Sequence, residues 1–464
     1  MKRHSLQILS ILFFLLCVSA NSQENTSETY IIKDINIVGN KRTKNIVIKS
    51  ELPFSEGSEI NLDILEELIE NAQNNLLNTS LFNTVNIDTQ FFENNYLIFN
   101  VEVHERLFLW ILPVFENEGR NFSDFLKFND GSWYNYGIYA KHYNFRGRNE
   151  KISIRAITGY KDQLVFNYEN PGRNNKSGWG FTYHWQENNQ ISYATVGDRL
   201  VFLKLKNRWA VNQNKIELNY FFRNNFYHYH RITTSFENIK ISDSLFAVNP
   251  KFLPLEKQKS SQLVVTYNYK YDKRNLKFYP LTGNFVGASI SGTGLGILSD
   301  YQGFFEAKFS LGIYRNLFKS FYWGTDFTLK GYSKKEIPYY FKAGFGYDDY
   351  LNGFEYKVIE GTFYSTVKNR LLFELIPRKD KSLKFIPAKQ FKNFHYALYL
   401  SINADVGYVY NDLHLPYNKL PNSFLFGYGI GVELVTIYDK VLKLNYSLTN
   451  FGEHGIFIHF NLAM

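Results

Sequence analysis

An alternation of aromatic with small or polar residues is the feature that most restricts what this chain can fold into. It is clearest in residues 179–186, which read WGFTYHWQ. One set of positions holds Trp179, Phe181, Tyr183 and Trp185, and the other holds Gly180, Thr182, His184 and Gln186. Successive side chains of a β-strand point to opposite faces, so this period of two predicts a strand with one aromatic and one polar face. Such a strand needs an apolar environment on one side and water on the other.

The same alternation recurs between residues 107 and 464. It is present in residues 152–156, 164–168, 216–222, 305–313 and 321–329, and turn-rich segments such as NFRGRNE and NPGRNNKSG separate the strands. About sixteen strands fit this region, with residues 190–210 as the ambiguous part, and bacterial membrane barrels use even strand numbers.

A water-soluble β-sandwich also alternates apolar with polar residues, but three features favour a membrane β-barrel. The strands are too many for one sandwich, the apolar faces end in Trp, Tyr and Phe as interfacial girdles do, and the lumenal positions are polar or Gly rather than fully charged. The predicted fold class is therefore a membrane β-barrel of about 16 antiparallel strands, preceded by one small α+β domain. Lipid would face the aromatic side of WGFTYHWQ, and an aqueous lumen the other side.

The N-terminus reads MKRHSLQILSILFFLLCVSANSQ and has the pattern of a cleaved signal peptide. A basic pair, Lys2 and Arg3, precedes an apolar run, and small residues precede Gln23, so we expect residues 1–22 to be removed. The apolar run is too short for a membrane anchor, and no other segment is long and apolar enough for a membrane helix. Cys17 is the only cysteine of the chain, which excludes disulfides and cysteine chemistry in the mature protein.

Charge divides the chain into two parts. Residues 23–106 contain 6 Lys/Arg and 14 Asp/Glu, whereas residues 107–464 contain 44 Lys/Arg and 29 Asp/Glu. This asymmetry predicts an acidic domain joined to a basic one. The basic residues are dispersed along strands and the chain is expected to be exported, so nucleic-acid binding is not predicted.

The pattern of residues 29–106 predicts the small domain, with the element order β-α-α-β-β. The segment YIIKDINIV alternates as a strand, Thr43 can cap a short helix that ends near Leu52, and Asn61 can cap a second helix. The second helix carries one apolar face at i, i+4, i+7 and i+11, made by Leu65, Ile69, Ala72 and Leu76. Two alternating strands follow, so a helix pair is expected to cover a small sheet.

These segments resemble a polypeptide-transport-associated (POTRA) domain. The resemblance lies in IVGNKRTKNIVIKSEL, the SEGSEI turn, NNLLNTSLFNTVNI and LIFNVEVHE, and the family pattern LF-x-x-V stands here as Leu81-Phe82-Asn83-Thr84-Val85. It covers the full length of the domain. An unrelated small α+β domain is the alternative.

The second domain resembles the barrel of the BamA/TamA outer-membrane assembly and secretion superfamily. YDKRNLKFYPLTGNF matches its D-x-R-x…P-x-x-G segment with Asp272, Arg274, Pro280 and Gly283. A charged strand end followed by Pro and Gly predicts a tight turn. The last three segments, FGYGIGVELV, KVLKLNYSL and GIFIHFNLAM, resemble the final three strands of the superfamily, although the chain ends in Met rather than Phe.

The superfamily carries a long loop that folds back into the lumen, and residues 334–361 stand at its place. The loop tip is typically Val-Arg-Gly-Phe, and here it reads Leu351-Asn352-Gly353-Phe354. The acidic partner of the family arginine matches Asp405 in a D-x-G motif that ends at Gly407. With Asn352 at the arginine position, we expect an uncharged amide to bond Asp405 and hold the loop. An ordinary surface loop is the alternative.

No pattern of catalytic or cofactor-binding residues is present. The chain lacks a G-x-S-x-G elbow, an H-E-x-x-H motif and a Walker loop, and SGTGLG lacks the spacing of a dinucleotide site. His228 and His230 share one strand face, but without a third ligand nearby we expect them to lie at the lipid headgroup rim rather than to bind a metal. We therefore expect no enzyme activity and no cofactor.

The resemblance implies an outer-membrane protein of a Gram-negative bacterium, with its POTRA domain in the periplasm, that translocates or inserts polypeptide. An unfolded or extended client would pair with a POTRA strand edge, for which Phe82, Val85 and Ile87 are the candidates. Outer-membrane lipid, lipopolysaccharide and periplasmic accessory proteins are the other expected partners. A barrel related to POTRA-barrel hydrolases and a passive outer-membrane pore are the alternatives.

Overall fold

A computed structural model describes residues 28–117, 133–172, 176–206, 208–298, 301–342, 344–346, 349–382, 393–413, 417–436 and 440–462. The expected signal peptide, residues 1–22, lies outside these residues. The description below concerns a first domain that ends near Arg106 and a second that follows it.

The first domain is a four-stranded sheet covered by two helices. Its elements are β1 (Thr29–Val38), α1 (Asn45–Lys49), β2 (Glu59–Asn61), α2 (Leu65–Asn78), β3 (Phe82–Phe92) and β4 (Tyr96–Glu105), and the strand order is β2-β1-β4-β3. Strand β1 is parallel to β4, and β3 is antiparallel to it. The predicted order is confirmed, with the short strand β2 added to it. Ala72 and Leu76 of the predicted helix face are fully buried against the sheet.

The two predicted helix caps have different outcomes. The Asn61 side chain accepts a hydrogen bond from the Asp63 amide and opens the 3₁₀ turn Leu62–Ile64, which leads into α2. The predicted cap at Thr43 is wrong, because α1 begins after Lys44 and has no side-chain cap. The Thr43 hydroxyl instead donates to Glu105 Oε1 at 2.7 Å, since that carboxylate lies directly across the domain.

The second domain is built on one antiparallel sheet of sixteen strands, which confirms the predicted number. The strands are β5 (Leu109–Asn117), β6 (Tyr134–Phe145), β7 (Glu150–Gly159), β8 (Lys161–Asn170), β9 (Ser177–Asn188), β12 (Val211–Arg223), β13 (His228–Ile241), β14 (Lys259–Asp272), β15 (Gly283–Thr293), β16 (Phe304–Phe318), β17 (Phe321–Tyr332), β18 (Phe363–Ser382), β19 (Asn393–Tyr410), β20 (Phe424–Thr436), β21 (Lys440–Thr449) and β22 (His454–Leu462). The sheet curls into a barrel. Arg231 on β13 consequently reaches Glu169 on β8, although β9 and β12 lie between these strands.

The barrel strands place their side chains as the alternation predicts. Apolar side chains of the outer face are exposed, such as Trp179, Leu218 and Ile402. The inward side chains of WGFTYHWQ bond inside the lumen: Thr182 donates to Asn167, and Gln186 donates to Asn188. The outer face is therefore apolar and the inner face polar. Among the described residues, no helix is both long and apolar enough to cross a membrane.

The ambiguous residues 190–210 form a separate hairpin, β10 (Gln190–Val196) with β11 (Arg199–Lys204), outside the sixteen-stranded sheet. The short helix α3 (Asp243–Val248) and the 3₁₀ turns Pro250–Phe252, Pro254–Glu256 and Tyr339–Phe341 lie beside it. At the hairpin tip, Asp198 bonds Asn418 and the amide of Val358. The hairpin thus covers the barrel end that lies opposite the first domain.

Candidate functional site

The tip of segment 334–361 lies inside the barrel, against the inner face of β19. The Asn352 side-chain amide donates to Asp405 Oδ2 at 2.7 Å, and the Asn352 backbone amide donates to the same oxygen at 3.0 Å. Asn445 on β21 donates to Asn352 Oδ1 at 3.3 Å. The structure therefore brings together the two residues that the sequence pairs, and Asp405 is almost fully buried in this contact.

The residues around Asn352 fit the tip closely to the barrel wall. Gly353 has φ +87°, and a Cβ there would lie 2.7 Å from Thr449 Cγ2. Phe354 is buried and packs edge-on against Phe451. Gly407 of the D-x-G motif lies under Leu351 and leaves room for that side chain. The motif residues are thus in one place, although their role in holding the loop stays a prediction.

The rest of the segment makes buried polar contacts that the sequence did not indicate. Glu355 Oε1 lies 3.4 Å from His459 Nε2 on β22, and the Tyr350 ring stacks on His459 with centroids 4.8 Å apart. Burial raises the pKa of the Glu355 carboxyl, and the neighbouring His459 imidazole opposes that rise. Lys342 and Glu360, both nearly buried, form an ion pair at 2.8 Å within the segment.

The Asp272–Gly283 motif does not form the predicted tight turn. Arg274 makes a bidentate ion pair with Asp272 at 2.7 Å, and the chain returns to the sheet only at Gly283, where β15 begins. Between them, residues 273–282 enter the lumen, where Tyr279 is buried against Tyr399 and under the Arg370 guanidinium. Pro280 follows Tyr279 and lines the same lumenal cavity. The segment leaves the rim because apolar side chains of four strands offer it a packing site inside the barrel.

The lumen contains charged side chains as well as the polar and Gly positions that the sequence indicates. Glu433, which is 1% exposed, lies 3.1 Å from Arg370 and 3.5 Å from Lys443. These residues come from β20, β18 and β21. These charged side chains are tolerated in the lumen because each has an opposite charge nearby. Pairs between different strands leave no local pattern in the sequence.

The first domain is joined to one mouth of the barrel by specific contacts. Asn144, near the end of β6, donates to the Thr43 hydroxyl at 2.9 Å, and the Lys44 amide donates to the Gly147 carbonyl at 3.0 Å. Gly147 has φ +71°, and a Cβ there would lie 2.1 Å from the Arg42 carbonyl oxygen. A glycine at this position therefore allows the two backbones to approach closely.

The predicted client edge, β3, is the last strand of the first domain's sheet and pairs only with β4 among the described residues. Phe82, Val85 and Ile87 point into the domain core and are buried. Their side chains are therefore not accessible to a client, and any client contact on this edge would use the backbone. The exposed side chains of β3 are those of Asn86, Asp88, Gln90, Phe91 and Phe92.

The two histidines of β13 bond tyrosines of the neighbouring strand. His228 Nδ1 lies 2.8 Å from the Tyr269 hydroxyl, and His230 Nδ1 lies 2.8 Å from the Tyr267 hydroxyl. In the part of the chain that the structure describes, no group of three or more His, Cys, Asp or Glu residues is arranged to hold a metal ion.

Comparison with known proteins agrees with both domains. Residues 30–106 match the family model described as POTRA, surface antigen variable number repeat. BamA from Haemophilus ducreyi lacking POTRA domains 1–3 superposes with a TM-score of 0.52 at 14% identity, covering 93% of this chain and 84% of that chain. CdiB from Escherichia coli superposes with a TM-score of 0.56 at 13% identity, covering 93% and 75%. None of the curated proteins matches this sequence.

The chain is a sixteen-stranded β-barrel preceded by one POTRA domain, with the fold of BamA and CdiB. The resemblance to a POTRA domain is confirmed by the match over residues 30–106, and the expected barrel is confirmed by the fold shared with BamA and CdiB. Identities of 13–14% show the fold alone.

Proposed function

We propose that this protein moves polypeptide into or across the outer membrane of a Gram-negative bacterium, with its POTRA domain in the periplasm. The observation that carries the proposal is the position of β3, the edge strand of the POTRA sheet, which begins at the mouth of the barrel. The barrel then receives the client that the POTRA domain has bound.

The contact at Asn78 defines this position. Asn78, at the end of α2, donates to the Asn275 carbonyl at 3.2 Å and accepts from the Lys277 amide at 3.2 Å. Strand β3 starts four residues later, at Phe82. An extended client can add to an open sheet edge through main-chain hydrogen bonds, independently of its sequence. A strand added along β3 would have one of its ends at the entrance of the lumen.

The content of the lumen favours this function over a passive pore. Segment 273–282 enters from the POTRA end, and segment 334–361 enters from the opposite end. Both are held by buried contacts, so the barrel does not offer an unobstructed channel. Single-channel recordings test this alternative: a steady, large conductance that survives deletion of residues 29–106 would support a passive pore.

Site-specific photocrosslinking in living cells tests the proposed function directly. A photoreactive amino acid at Asp88 samples the edge strand β3, and the matched control at Asp34 samples β1, which lies between β2 and β4. Both aspartates are exposed. We expect crosslinked polypeptide from position 88 and little from position 34.

Mass spectrometry of the crosslinked products then identifies the client. Val85→Pro would be a less specific test than crosslinking, because Val85 lies in the core and proline would disturb packing as well as the edge. If positions 88 and 34 give equal yields, or neither gives a product, strand addition to β3 is not how the protein binds a client.

A further inference from the structure

A cavity of about 550 Å³ lies between the POTRA domain and the barrel, and we call it the junction cavity. Asn75, Asn78 and Thr79 line it from the POTRA domain, at the end of α2. Barrel side chains at the nearest ends of β7, β8 and β12–β15 line the rest. The cavity therefore adjoins the start of β3 on one side and opens toward the lumen on the other.

The junction cavity is positively charged. Six basic side chains face three carboxylates across it. The basic residues are Lys151, Arg223, Arg231, Lys270, Arg274 and Lys277, and the acidic residues are Glu51, Glu169 and Asp272. An excess of one sign in a confined cavity raises the local concentration of the opposite charge.

Each of the three carboxylates is held by an arginine. Glu51, from the POTRA domain, receives two hydrogen bonds of 2.8 Å from Arg223. Arg231 pairs with Glu169 at 2.9 Å, as Arg274 does with Asp272 at 2.7 Å. Glu51 thus shows how a carboxylate from outside the barrel binds in this cavity, in the bidentate geometry that guanidinium groups favour.

Two lysines of the cavity have no such partner. Among the described residues, no carboxylate oxygen lies within 4.0 Å of the Nζ atom of Lys270 or Lys277, and both side chains are exposed to the cavity. Aromatic side chains in the same cavity contact its arginines: the Arg231 guanidinium lies 5.2 Å from the Phe221 ring centre, and that of Arg274 lies 4.6 Å from the Phe285 ring centre. The cavity therefore offers two unneutralised ammonium groups beside a wall of stacked rings and guanidinium groups.

We propose that the junction cavity binds the carboxylate side chains of an acidic stretch in the client polypeptide. This inference rests on the proposed function and names a class of client for it. Lys270 and Lys277 would pair with the first carboxylates of the client. A further client carboxylate would replace Glu51 as the partner of the Arg223 guanidinium. A polypeptide is favoured over lipid because Arg231 and Lys270 project into the barrel interior, away from the apolar outer face.

Peptide binding to the purified full-length protein in detergent micelles tests the proposal. Two fluorescent extended peptides of equal length are compared by anisotropy, one with glutamate at alternate positions and one with glutamine. We expect the glutamate peptide to bind about tenfold more tightly at low salt, and this preference to shrink as salt screens the charges.

Substitutions test whether the lysines of the junction cavity cause the preference for the glutamate peptide. Lys270→Gln combined with Lys277→Gln should remove it, whereas Lys257→Gln combined with Lys259→Gln should keep it, because these exposed lysines lie at the opposite end of β14. Glu51→Gln should increase the affinity for the glutamate peptide alone, since Arg223 is then released from its own carboxylate. Heat modifiability checks that each variant folds.

Three results would overturn the proposal: equal affinity for the two peptides, a preference that survives Lys270→Gln with Lys277→Gln, or displacement of the glutamate peptide by inorganic phosphate at a concentration equal to the peptide's own Kd. The last result would indicate a general anion site instead of a polypeptide site. Crosslinking at Asp88 separates this failure from that of the proposed function: if it persists, only the acidic-client inference is wrong, and if it is absent, the client-binding function fails as well.

Discussion

Strands β4 and β19 both alternate with a period of two, yet they bury opposite kinds of side chain. In β4 of the POTRA domain, Phe99 and Val101 are fully buried. In β19 of the barrel, Asn403 and Asp405 are buried, whereas Ile402, the neighbour of Asn403, is 59% exposed. The POTRA domain has an apolar core under its helices, and the barrel has a polar interior with an apolar surface.

The difference teaches that the period alone does not state which face is the inside. Helices α1 and α2 cover the POTRA sheet with apolar side chains, so burial of apolar area stabilises that domain. The barrel sheet encloses its own segments and water, and it presents its apolar face to lipid. Removal of an apolar side chain should therefore destabilise the POTRA core but not the outer face of the barrel. Removal of a charged side chain should destabilise the barrel interior.

The largest effect is expected from truncation of the POTRA core. Phe99 is fully buried and stacks on Phe54 with ring centroids 4.0 Å apart. Phe99→Ala should lower the free energy of unfolding of the POTRA domain by about 3–5 kcal/mol through lost transfer energy and a cavity. Hydrogen exchange of β1–β4 should report the loss, while the barrel keeps its heat-modifiable band.

The matched control is Ile402→Ala on the outer face of the barrel. Because Ile402 has lipid and not packed protein on one side, its truncation should leave no comparable cavity, and the heat-modifiable band should persist to nearly the same temperature. A loss of barrel stability as large as the loss caused by Phe99→Ala in the POTRA domain would contradict the comparison.

The second effect concerns the charges of the lumen. Glu433→Gln removes the carboxylate that Arg370 and Lys443 share, which leaves two partly buried cations without their anion. We expect a destabilisation of about 3 kcal/mol, because removing one partner of an ion pair in the protein interior leaves the other charge desolvated without compensation. The measurement is the temperature at which the heat-modifiable band is lost. A variant as stable as the native protein would show that these ions are solvated and not held by pairing.

The third effect is the release of segment 334–361. Asp405→Ala removes the acceptor of both Asn352 bonds, a contribution of about 1.5–3 kcal/mol for hydrogen bonds to a charged group. Asn352→Arg should instead tighten the segment through a charge-assisted contact. Trypsin cleavage at the lysines of the segment, from the cell surface, measures the release. If neither variant changes the cleavage rate, this pair does not hold the segment.

The smallest effect is expected at the boundary of the two regions. Thr43→Val keeps the side-chain shape but removes the hydroxyl that joins Glu105 to Asn144, a change of about 1 kcal/mol. Trypsin should then cut faster at Arg42, because the loop is less firmly attached to the barrel. Thr89→Val, on the POTRA strand β3 and distant from the barrel, is the control and should leave that rate unchanged.

Much of the fold could be predicted because it depends on residues near one another in the sequence. The alternation located the strands, and the i, i+4, i+7 spacing identified Ala72 and Leu76 as core residues of α2. The prediction failed where a distant group competes with a local one. Thr43 does not cap α1, because Glu105, 62 residues away, accepts its hydroxyl. Residues 273–282 do not form a tight turn, because Tyr279 packs inside the barrel against Tyr399.

The candidate site divides in the same way. The motifs were sufficient to pair Asn352 with Asp405, which are 53 positions apart, because both belong to a recognisable pattern. No pattern indicated that Glu51 would bind Arg223, which is 172 positions away, or that Glu433 would lie between Arg370 and Lys443.

The sequence by itself determined the number of strands, which side chains of a strand share a face, and the presence of a POTRA domain. Each of these follows from local sequence patterns, because backbone geometry converts a period of two or 3.6 residues into a strand or a helix. Only the tertiary structure decided which charges meet in the lumen, which segments fill it and how the POTRA domain sits at its mouth. Those contacts depend on distances between residues far apart in the chain, and a Coulomb or hydrogen-bond partner is selected by proximity in space and not by its place in the sequence.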